Sequence, residues 1–482
     1  MRMMLRRYRR GAVVLSAAVA ASMIVLATAV PAGATTVAPA NTVLNGGGSY
    51  TTYAMMQQLS DLYNSSPGCN LLTANSNNQE LNYACASSYS TAATGGENGY
   101  TLTPPLNPYN DVVWQESALG SGNGIKELEL EGADTPTSPP NNEIAQVDFA
   151  RSSRAAITTG STPDKSGLNF VAYAEDAVPW FHFTTVKGTT CSTGSTSTPS
   201  KTITSLTNTQ LASIYEGNTT NWSTVGGSSA PIDVFIAQSG SGTESTWATD
   251  LGLSGSYPYG GASATATRLG LPVSDFEIFE NEVSDIFSNP DAFSQDVACN
   301  AIFFFSYGKY SILCPSGKCV GEPASGPGKG SKSKLGEING VTADQTTIQN
   351  GSYFTDRQLY NVYSDGSNAN LPFANSGSLP PVTSQAVQNF VGTYGFLCNP
   401  SSFAVTDPIS PTGQTYGQEI QSIITTNGFF PIPEGNMGDG SIATPPDPSQ
   451  SGYDAGYAAA EPTPSGDDGY CRITTTDGDG NN

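Results

Sequence analysis

Three glycine- and serine-rich turns in this sequence have the residue types needed to hold an anion. They span Asn45–Tyr50, Gly120–Gly124 and Gln238–Thr243, and each precedes a segment with helical spacing. The first amide groups of a helix have no partner within it, so such a turn presents N–H donors at the positive end of the helix dipole. A single turn of this kind also serves simply as a cap, and Ser241–Glu244 has the spacing of a capping box. Three in one chain favour an anion site.

Alternating strand and helix patterns surround these turns. A short apolar run precedes each one: Thr42–Leu44, Asp111–Trp114 and Ile232–Ala237. Helical spacing follows, as in Met55, Leu59 and Leu62, which recur at positions i, i+4 and i+7 and predict one buried helical face. Ile125–Leu130 has similar spacing after the second turn.

A further helix is predicted from its ends. Thr207 and Gln210 form a capping box, and Gly217 supplies a left-handed stop. Its buried stripe consists of Leu211, Ile214 and Tyr215. Because strands and helices alternate along the chain, the sequence predicts an α/β architecture.

The composition excludes several partners and sites. The chain has 482 residues, with 19 Lys and Arg against 41 Asp and Glu, and a formal net charge of −22. Nucleic acids and anionic membranes are bound by clustered basic residues, so we expect neither as a partner. The single histidine, His182, excludes a zinc site built on several imidazoles. It lies in the apolar segment Pro179–Phe183 and is predicted to pack in the core.

The N-terminal segment has the pattern of a secretory signal. Five arginines within residues 1–10 precede the apolar run Ala12–Val30, and Pro31–Ala34 supplies an A-x-A cleavage site. We expect residues 1–34 to be removed, which leaves 14 basic against 41 acidic residues; retention as a membrane anchor is the alternative. No later segment is apolar enough to cross a bilayer. The sequence therefore predicts a secreted, extracellular or cell-surface-associated protein.

All eight cysteines follow the signal, and an even number in an oxidising compartment predicts up to four disulfides. Short loops favour Cys69 with Cys85 and Cys314 with Cys319; among many other pairings we favour Cys191 with Cys299 and Cys398 with Cys471. No C-x-x-C pair is present, so we expect no metal site on cysteines.

The order of the motifs resembles one protein family. Leu206–Gly217, Thr220–Ser223 and, after a strand, Ser239–Thr243 closely resemble the phosphate-binding proteins of ABC import systems (PstS-like). The segments that share this resemblance are Asn45–Tyr50, Gly120–Ile125, Val147–Arg154, Asn339–Val341 and Gly351–Tyr360. The resemblance covers residues 42–435, most of the chain after the signal.

The resemblance implies an α/β, two-lobed periplasmic-binding-protein (flytrap, type II) fold that closes over an oxyanion. Lobe I would contain residues 35–172 and 310–440, and lobe II residues 173–309. Two hinge strands would lie near 171–180 and 301–310. Residues 441–482, rich in Pro, Gly, Ser and Asp, would form an acidic tail.

By matching positions, the resemblance also implies a set of ligand residues. They supply hydroxyl groups and backbone donors from all three turns: Ser49, Tyr50, Ser121, Ser241, Gly242 and Thr243.

Two positions depart from the family pattern. Ala237 stands where the family usually has an arginine, and Ser153 stands where the family has an aspartate that accepts a proton from bound phosphate. Arg151 and Arg154 flank Ser153. We hypothesise that Arg154 supplies the missing guanidinium, because a bidentate pair between arginine and an oxyanion is a strong charge-assisted contact. The alternative is that both arginines pair with acidic side chains. Ser153 and Arg154 complete the expected ligand set.

Other chemistry has less support. No serine lies in a G-x-S-x-G elbow. Asp275–Asp285 alternates as an amphipathic helix with a solvated acidic face, and Asp477–Asn481 begins like a calcium loop but lacks the closing Glu. We therefore expect no enzyme activity, no metal site and no cofactor.

The leading expectation is a monomeric, secreted solute-binding protein that captures phosphate or a related oxyanion for an ABC permease. The alternative is a cell-surface adhesion or structural protein on the same scaffold with a degenerate ligand cleft. A third class, a secreted hydrolase of phosphate esters, lacks a recognisable nucleophile.

Overall fold

Two mixed β-sheets with flanking helices form most of the described part of this protein, so the predicted α/β architecture is confirmed. The computed structural model describes residues 44–64, 113–115, 120–130, 147–158, 160, 162–186, 189–191, 203–238, 240–253, 267–268, 271–272, 277–278, 299–317, 331–364, 387, 390–392, 395–398, 414, 416–432 and 471–473. The predicted signal at residues 1–34 and most of the predicted tail lie outside these residues.

The first sheet has seven strands. They are β1 (Leu44–Gly48), β2 (Val113–Gln115), β3 (Phe149–Ser152), β4 (Leu168–Ala177), β16 (Asp356–Ser364), β17 (Phe430–Pro431) and β18 (Arg472–Ile473). The order is β17-β4-β16-β3-β1-β2, and β18 also pairs with β4. β1 is parallel to β2 and β3, whereas β16 is antiparallel to β3 and β4. The ends of β1, β2 and β3 therefore lie at the same edge as the beginning of β16.

The second sheet has five strands. They are β5 (Trp180–Val186), β6 (Thr189–Thr190), β8 (Asp233–Val234), β13 (Ala301–Phe304) and β14 (Lys332–Leu335). The order is β14-β5-β13-β8, with β6 on β5. Three two-stranded pairs join β7 (Ser205–Leu206) to β15 (Glu337–Ile338), β9 (Ile236–Ala237) to β12 (Glu277–Ile278), and β10 (Thr267–Arg268) to β11 (Leu271–Pro272). We call the first sheet with its helices lobe I and the second lobe II.

Seven α-helices accompany the sheets in the described residues. They are α1 (Tyr53–Asn64), α2 (Ser121–Leu130), α3 (Asn208–Tyr215), α4 (Gly242–Asp250), α5 (Tyr307–Leu313), α6 (Gln345–Gln349) and α7 (Tyr416–Thr426). The predicted stripe of α1 is confirmed, since Met55 and Leu59 are fully buried and Leu62 is partly buried against the same core. The capping box of α3 is confirmed, and Gly217 has φ 76°. Among these residues no helix is both long and apolar enough to cross a membrane.

The chain crosses between the sheets once where predicted and once later. It leaves β4 at Ala177 and enters β5 at Trp180, within the predicted hinge at 171–180. The second hinge, predicted at 301–310, is wrong in position, because Ala301–Phe304 is a strand of the second sheet and so is the later Lys332–Leu335. Ile302 and Phe303 pack into opposite cores, as expected for a central strand covered on both faces. The chain returns to the first sheet only at β16.

The disulfides that the structure describes confirm two of the predicted pairings. Cys191 is bonded to Cys299, and Cys398 to Cys471. Cys314 is also disulfide-bonded; its predicted partner, and the predicted pair of Cys69 with Cys85, lie outside the described residues. The bond at Cys471 adjoins β18, so this part of the predicted tail is a strand of the first sheet.

Two other expectations differ from the structure. The first strand begins at Leu44 and continues through Gly48, although the glycine run was expected to be a turn. The run pairs with both β2 and β3, where the absence of side chains lets neighbouring residues approach closely. In the predicted acidic helix Asp275–Asp285, Glu277 and Ile278 instead form β12, parallel to β9.

Close approach of backbones explains the glycines of the first two turns. A Cβ atom added to Gly124 would lie within 3 Å of the backbone of Gly48, so the first turn of α2 can rest on the end of β1 only without side chains there. Gly48 itself has φ 110°, a conformation that favours glycine. The Asn45–Tyr50 and Gly120–Gly124 motifs are therefore packing partners of each other.

We expect Gly124→Ala to destabilise the protein although alanine favours helices. The clash involves backbone atoms that cannot rotate away, and overpacking of this kind costs about 1–3 kcal/mol. Gly122→Ala is the matched control in the same helical turn, because its Cβ would meet only ordinary contacts of 3.5 Å or more. Denaturant unfolding would measure both variants. Equal free energies of unfolding for Gly124→Ala and the wild type would contradict the packing argument.

The only histidine packs in the core, as predicted. His182 is 1% exposed and its ring lies 5.3 Å from that of Trp180, centroid to centroid. Neither ring nitrogen has a hydrogen-bond partner among the described residues. Burial, together with the positive charge of Lys334, lowers the pKa of His182 to about 4 from its usual 6.5. Protonation in the folded state is therefore costly.

This shift predicts a loss of stability in acid. Between about pH 4 and 6.5 the unfolded chain binds a proton that the folded protein excludes. The contribution of His182 is therefore complete above pH 6.5 and is lost as the pH falls toward 4. His182→Phe should flatten the pH dependence of the free energy of unfolding in this range, measured by denaturant titrations at several pH values. The same slope in both proteins would refute the assignment.

Candidate functional site

The predicted turns meet at one edge of the first sheet. Because β1, β2 and β3 are parallel, the residues that follow each strand lie side by side, the usual location of binding sites in such sheets. The Gly120 amide donates to the Gly48 carbonyl at 3.1 Å, and the Gly122 amide donates to the Gly240 carbonyl at 3.0 Å. The second of these bonds joins lobe I to the turn that begins α4 in lobe II. The three turns thus converge, as the anion hypothesis requires.

A cluster of hydroxyl groups lies where the turns converge. We call Thr51, Ser121, Ser153, Thr243 and Thr246 the hydroxyl cluster; all are at most 6% exposed. The Ser121 and Ser153 hydroxyl oxygens are 3.1 Å apart, and those of Thr51 and Thr243 are 3.4 Å apart. The Thr246 hydroxyl donates to the Ser153 carbonyl at 3.2 Å. Uncharged donors from both lobes therefore share one small volume.

Gly242 brings the start of α4 against this cluster. A Cβ at this position would lie within 3 Å of the hydroxyl oxygens of both Ser121 and Ser153. Only glycine lets the first turn of the helix approach so closely. The backbone N–H groups of this turn lie at the end of the helix where the dipole favours negative charge, and one of them, the Glu244 amide, donates to the Ser241 hydroxyl.

The other predicted ligand residues lie in the same turns but mainly cap them. The Ser49 hydroxyl is buried and accepts from the Thr51 amide at 3.1 Å. Tyr50, half-buried, accepts from the Tyr53 amide through its carbonyl at 3.3 Å. The Ser241 hydroxyl accepts from the Glu244 amide at 3.1 Å, so the capping interpretation of this turn holds for Ser241.

A buried ion pair that the sequence analysis did not assign lies beside the hydroxyl cluster. Arg357 and Asp176 are opposite one another on β16 and β4 and are 3% and 0% exposed. The arginine Nη2 is 2.7 Å from Asp176 Oδ2, and its Nε is 3.1 Å from the same oxygen. Its Nη1 donates to the Ser153 carbonyl and to the Thr243 hydroxyl, both at 2.9 Å. A guanidinium group thus contacts residues of both lobes.

Arg154, the predicted source of the guanidinium, forms an ion pair with Asp164 instead. Its Nη1 and Nη2 pair with the two carboxylate oxygens of Asp164 at 2.7 and 2.8 Å, and Nη1 also donates to the Ala155 carbonyl. The alternative interpretation, pairing with an acidic side chain, therefore describes Arg154 correctly. Ala237 is buried on β9, so the arginine position of the family is filled by a core residue.

Arg151 is fully buried beneath the first turn. Its Nη1 donates to the Gly46 carbonyl and to the side-chain oxygen of Gln115, both at 2.6 Å. Its Nε lies 3.4 Å from the Ser49 carbonyl oxygen. Burial raises the pKa of the Tyr173 hydroxyl. The hydrogen bond with Thr52 and the positive charge of Arg151 both oppose this rise. A second positive charge therefore lies near the turns.

Sequence reasoning missed Thr51, Thr246, Asp176 and Arg357 for different reasons. Thr51 directly follows the first motif, and Thr246 lies one turn after Gly242, so spacing could have found both. Arg357 lies within Gly351–Tyr360, a segment noted for its resemblance but given no role. Its pairing with Asp176 depends on strand register between distant parts of the chain, which no local signal specifies.

The described residues contain no group of three or more His, Cys, Asp or Glu side chains placed to hold a metal ion.

Comparison with known proteins identifies the family. A sequence model described as the PBP superfamily domain matches residues 34–364, more than half of the chain. The chain belongs to this superfamily. Its two sheets, with the crossing at Ala177–Trp180, are the two lobes of this fold. No protein with curated function matches the chain.

Solved structures with similarity to the chain include three phosphate-related receptors. One is described as a phosphate ABC transporter substrate-binding protein with bound phosphate, from Clostridium perfringens, at 15% identity and TM-score 0.38, covering 80% of this chain and 98% of that one. An ABC-type phosphate transport receptor from Vibrio cholerae has 15% identity and TM-score 0.38, covering 80% and 99%. PstS from Borrelia burgdorferi has 16% identity and TM-score 0.34, covering 81% and 98%. At these scores the similarities decide nothing about this chain's ligand.

The packing of Gly242 gives a testable expectation. Glycine to alanine in a helix usually stabilises by up to about 1 kcal/mol, but here the methyl group would push α4 away from Ser121 and Ser153. We expect Gly242→Ala to lower the free energy of unfolding, measured by denaturant titration. Ser245→Ala, on the same helix, is the control and should change it little. Stabilisation by Gly242→Ala would show that the two lobes do not meet here in solution.

Proposed function

We propose that this protein is a secreted solute-binding protein that captures phosphate or a related oxyanion between its lobes. The observation that carries the proposal is the meeting of serine- and threonine-bearing turns from both lobes with the guanidinium of Arg357. Hydroxyls, helix N-terminal amides and an arginine are the donors that proteins use for oxyanions.

The closed arrangement supports capture rather than surface contact. The hydroxyl cluster is buried, so a bound oxyanion would be removed from water and would replace the bonds that the hydroxyl groups now make with one another. An anion without a hydration shell is held only where several donors converge, because an unpaired buried charge is costly. Entry and release then require the lobes to separate.

The wider role follows from the superfamily and the sequence. We infer delivery of the captured anion to an ABC permease, action as a monomer, and binding without chemical turnover. Export is inferred from the signal pattern at residues 1–34. Among the described residues of this cluster, no nucleophile is hydrogen-bonded to a general base. The hydroxyl groups contact one another and Arg357.

A second candidate, a cell-surface adhesion or structural protein with a degenerate cleft, is favoured by one observation. The turns of the two lobes contact each other directly, with Gly242 against Ser121 and Ser153. If these contacts are permanent, the scaffold is closed and no solute enters.

A thermal-unfolding screen separates the two candidates. A ligand at 100 times its dissociation constant stabilises the folded protein by about 2.7 kcal/mol. We expect phosphate, sulfate or a related oxyanion to raise the unfolding midpoint above that in sodium chloride of the same ionic strength. Carboxylates and phosphate esters test the size of the site. An unchanged midpoint with every anion would reject the solute-binding proposal and favour the adhesion candidate.

A further inference from the structure

One edge of the Arg357 guanidinium is held by a carboxylate. Its Nε and Nη2 both contact Oδ2 of Asp176. That carboxylate is itself fixed, because Oδ2 accepts from the Ser306 hydroxyl at 2.8 Å and Oδ1 accepts from the Gly308 amide at 3.0 Å. Asp176 thus joins β4 and β16 to the start of α5 and sets the direction of the guanidinium plane.

The other edge of the guanidinium faces the hydroxyl cluster. Nη1 contacts the Ser153 carbonyl and the Thr243 hydroxyl. The contacts of Arg357 use four of its five N–H groups, and the remaining hydrogen on Nη2 has no partner among the described residues. Both acceptors of Nη1 are neutral. An oxyanion is a better acceptor than either, because its negative charge adds direct Coulombic attraction to the guanidinium and its oxygens fit the planar donor fork.

The hydrogen bonds of Arg357 reach both lobes, through Ser153 and Thr243. Ala237 carries no charge, and Arg154 forms its ion pair with Asp164. Arg151 donates to carbonyl and amide oxygens of lobe I. Arg357 donates to Thr243 at the start of α4.

We propose that Arg357 is the cationic ligand of the captured oxyanion, presented by Asp176 and replacing the charge absent at Ala237. This inference rests on the proposed function and specifies its charged group. The anion would accept from the outward edge of the guanidinium in place of the Ser153 carbonyl or the Thr243 hydroxyl. Charge recognition would then come from β16 of lobe I, and lobe II would contribute hydroxyls and amides.

The test is calorimetric titration of the full chain with inorganic phosphate and with sulfate. Arg357→Gln should lower the affinity for the anion by about 10- to 100-fold, the effect of losing a hydrogen bond to a charged group. Arg357→Lys, which keeps the charge but loses the planar fork, should fall between Arg357→Gln and the wild type. Lys165→Gln is the control for removing a cation of lobe I, since Lys165 contacts Glu129.

A double variant guards against misfolding. Arg357→Gln alone leaves the buried Asp176 carboxylate unpaired, which is strongly destabilising. Asp176→Asn combined with Arg357→Gln removes both charges and keeps hydrogen-bonding groups at both positions. We expect this protein to fold, as judged by circular dichroism, and to show the same loss of affinity as Arg357→Gln.

A charge-dependent readout separates a ligand from a structural role. Titrations at a pH below and a pH above the second ionisation of phosphate compare the singly and doubly charged anions. The wild type should prefer the doubly charged form, and this preference should shrink in the double variant. A merely structural arginine would lower both affinities equally.

The outcomes distinguish this inference from the proposed function. If the wild type binds phosphate or sulfate and the folded double variant binds with the same affinity and charge preference, the Arg357 inference is overturned while the proposed function stands. If the wild type binds no oxyanion of the thermal-unfolding screen, both fail.

Discussion

The buried ion pair of Asp176 and Arg357 is the interaction on which the arrangement of the lobes depends. Removing two charges from water is expensive, and the cost is offset only when geometry and additional hydrogen bonds satisfy both groups. Here the carboxylate receives four donor contacts, two of them from Ser306 and Gly308, and the guanidinium continues to Ser153 and Thr243. One network therefore fixes strand register in lobe I, the start of α5 and the position of α4.

Glycine supplies the second constraint, since the turns approach one another closer than side chains allow. Gly48 with Gly124 sets the distance between a strand and a helix of lobe I, and Gly242 sets the distance between lobes. The motifs that favoured an anion from their donors are thus also the motifs that make close contact possible. In this protein the same residues supply hydrogen-bond donors and allow the turns to pack closely.

The sequence predicted what depends on local physics and missed what depends on register. The stripe of α1, the capping box of α3 and the crossing near Ala177 are encoded within a few residues each. Two disulfide pairings were also confirmed, although spacing alone does not determine them. The second crossing was misplaced because a central strand and an exposed connection can both begin with an apolar run. The sequence analysis chose Arg154 because it neighbours Ser153 in the chain. Arg357 was given no role, because it reaches Ser153 only through the pairing of β16 with β3 and β4.

The short strand β18 attaches the C-terminal part of the sequence to the sheet of lobe I. Arg472 and Ile473 pair with Ala172 and Val171 of β4, and the adjacent Cys471 is bonded to Cys398. A fluorophore or surface linkage introduced after this strand would be mechanically coupled to lobe I alone. Lobe II would carry no attachment. A label after β18 would therefore be a reference fixed to lobe I, against which movements of lobe II could be measured by distance spectroscopy.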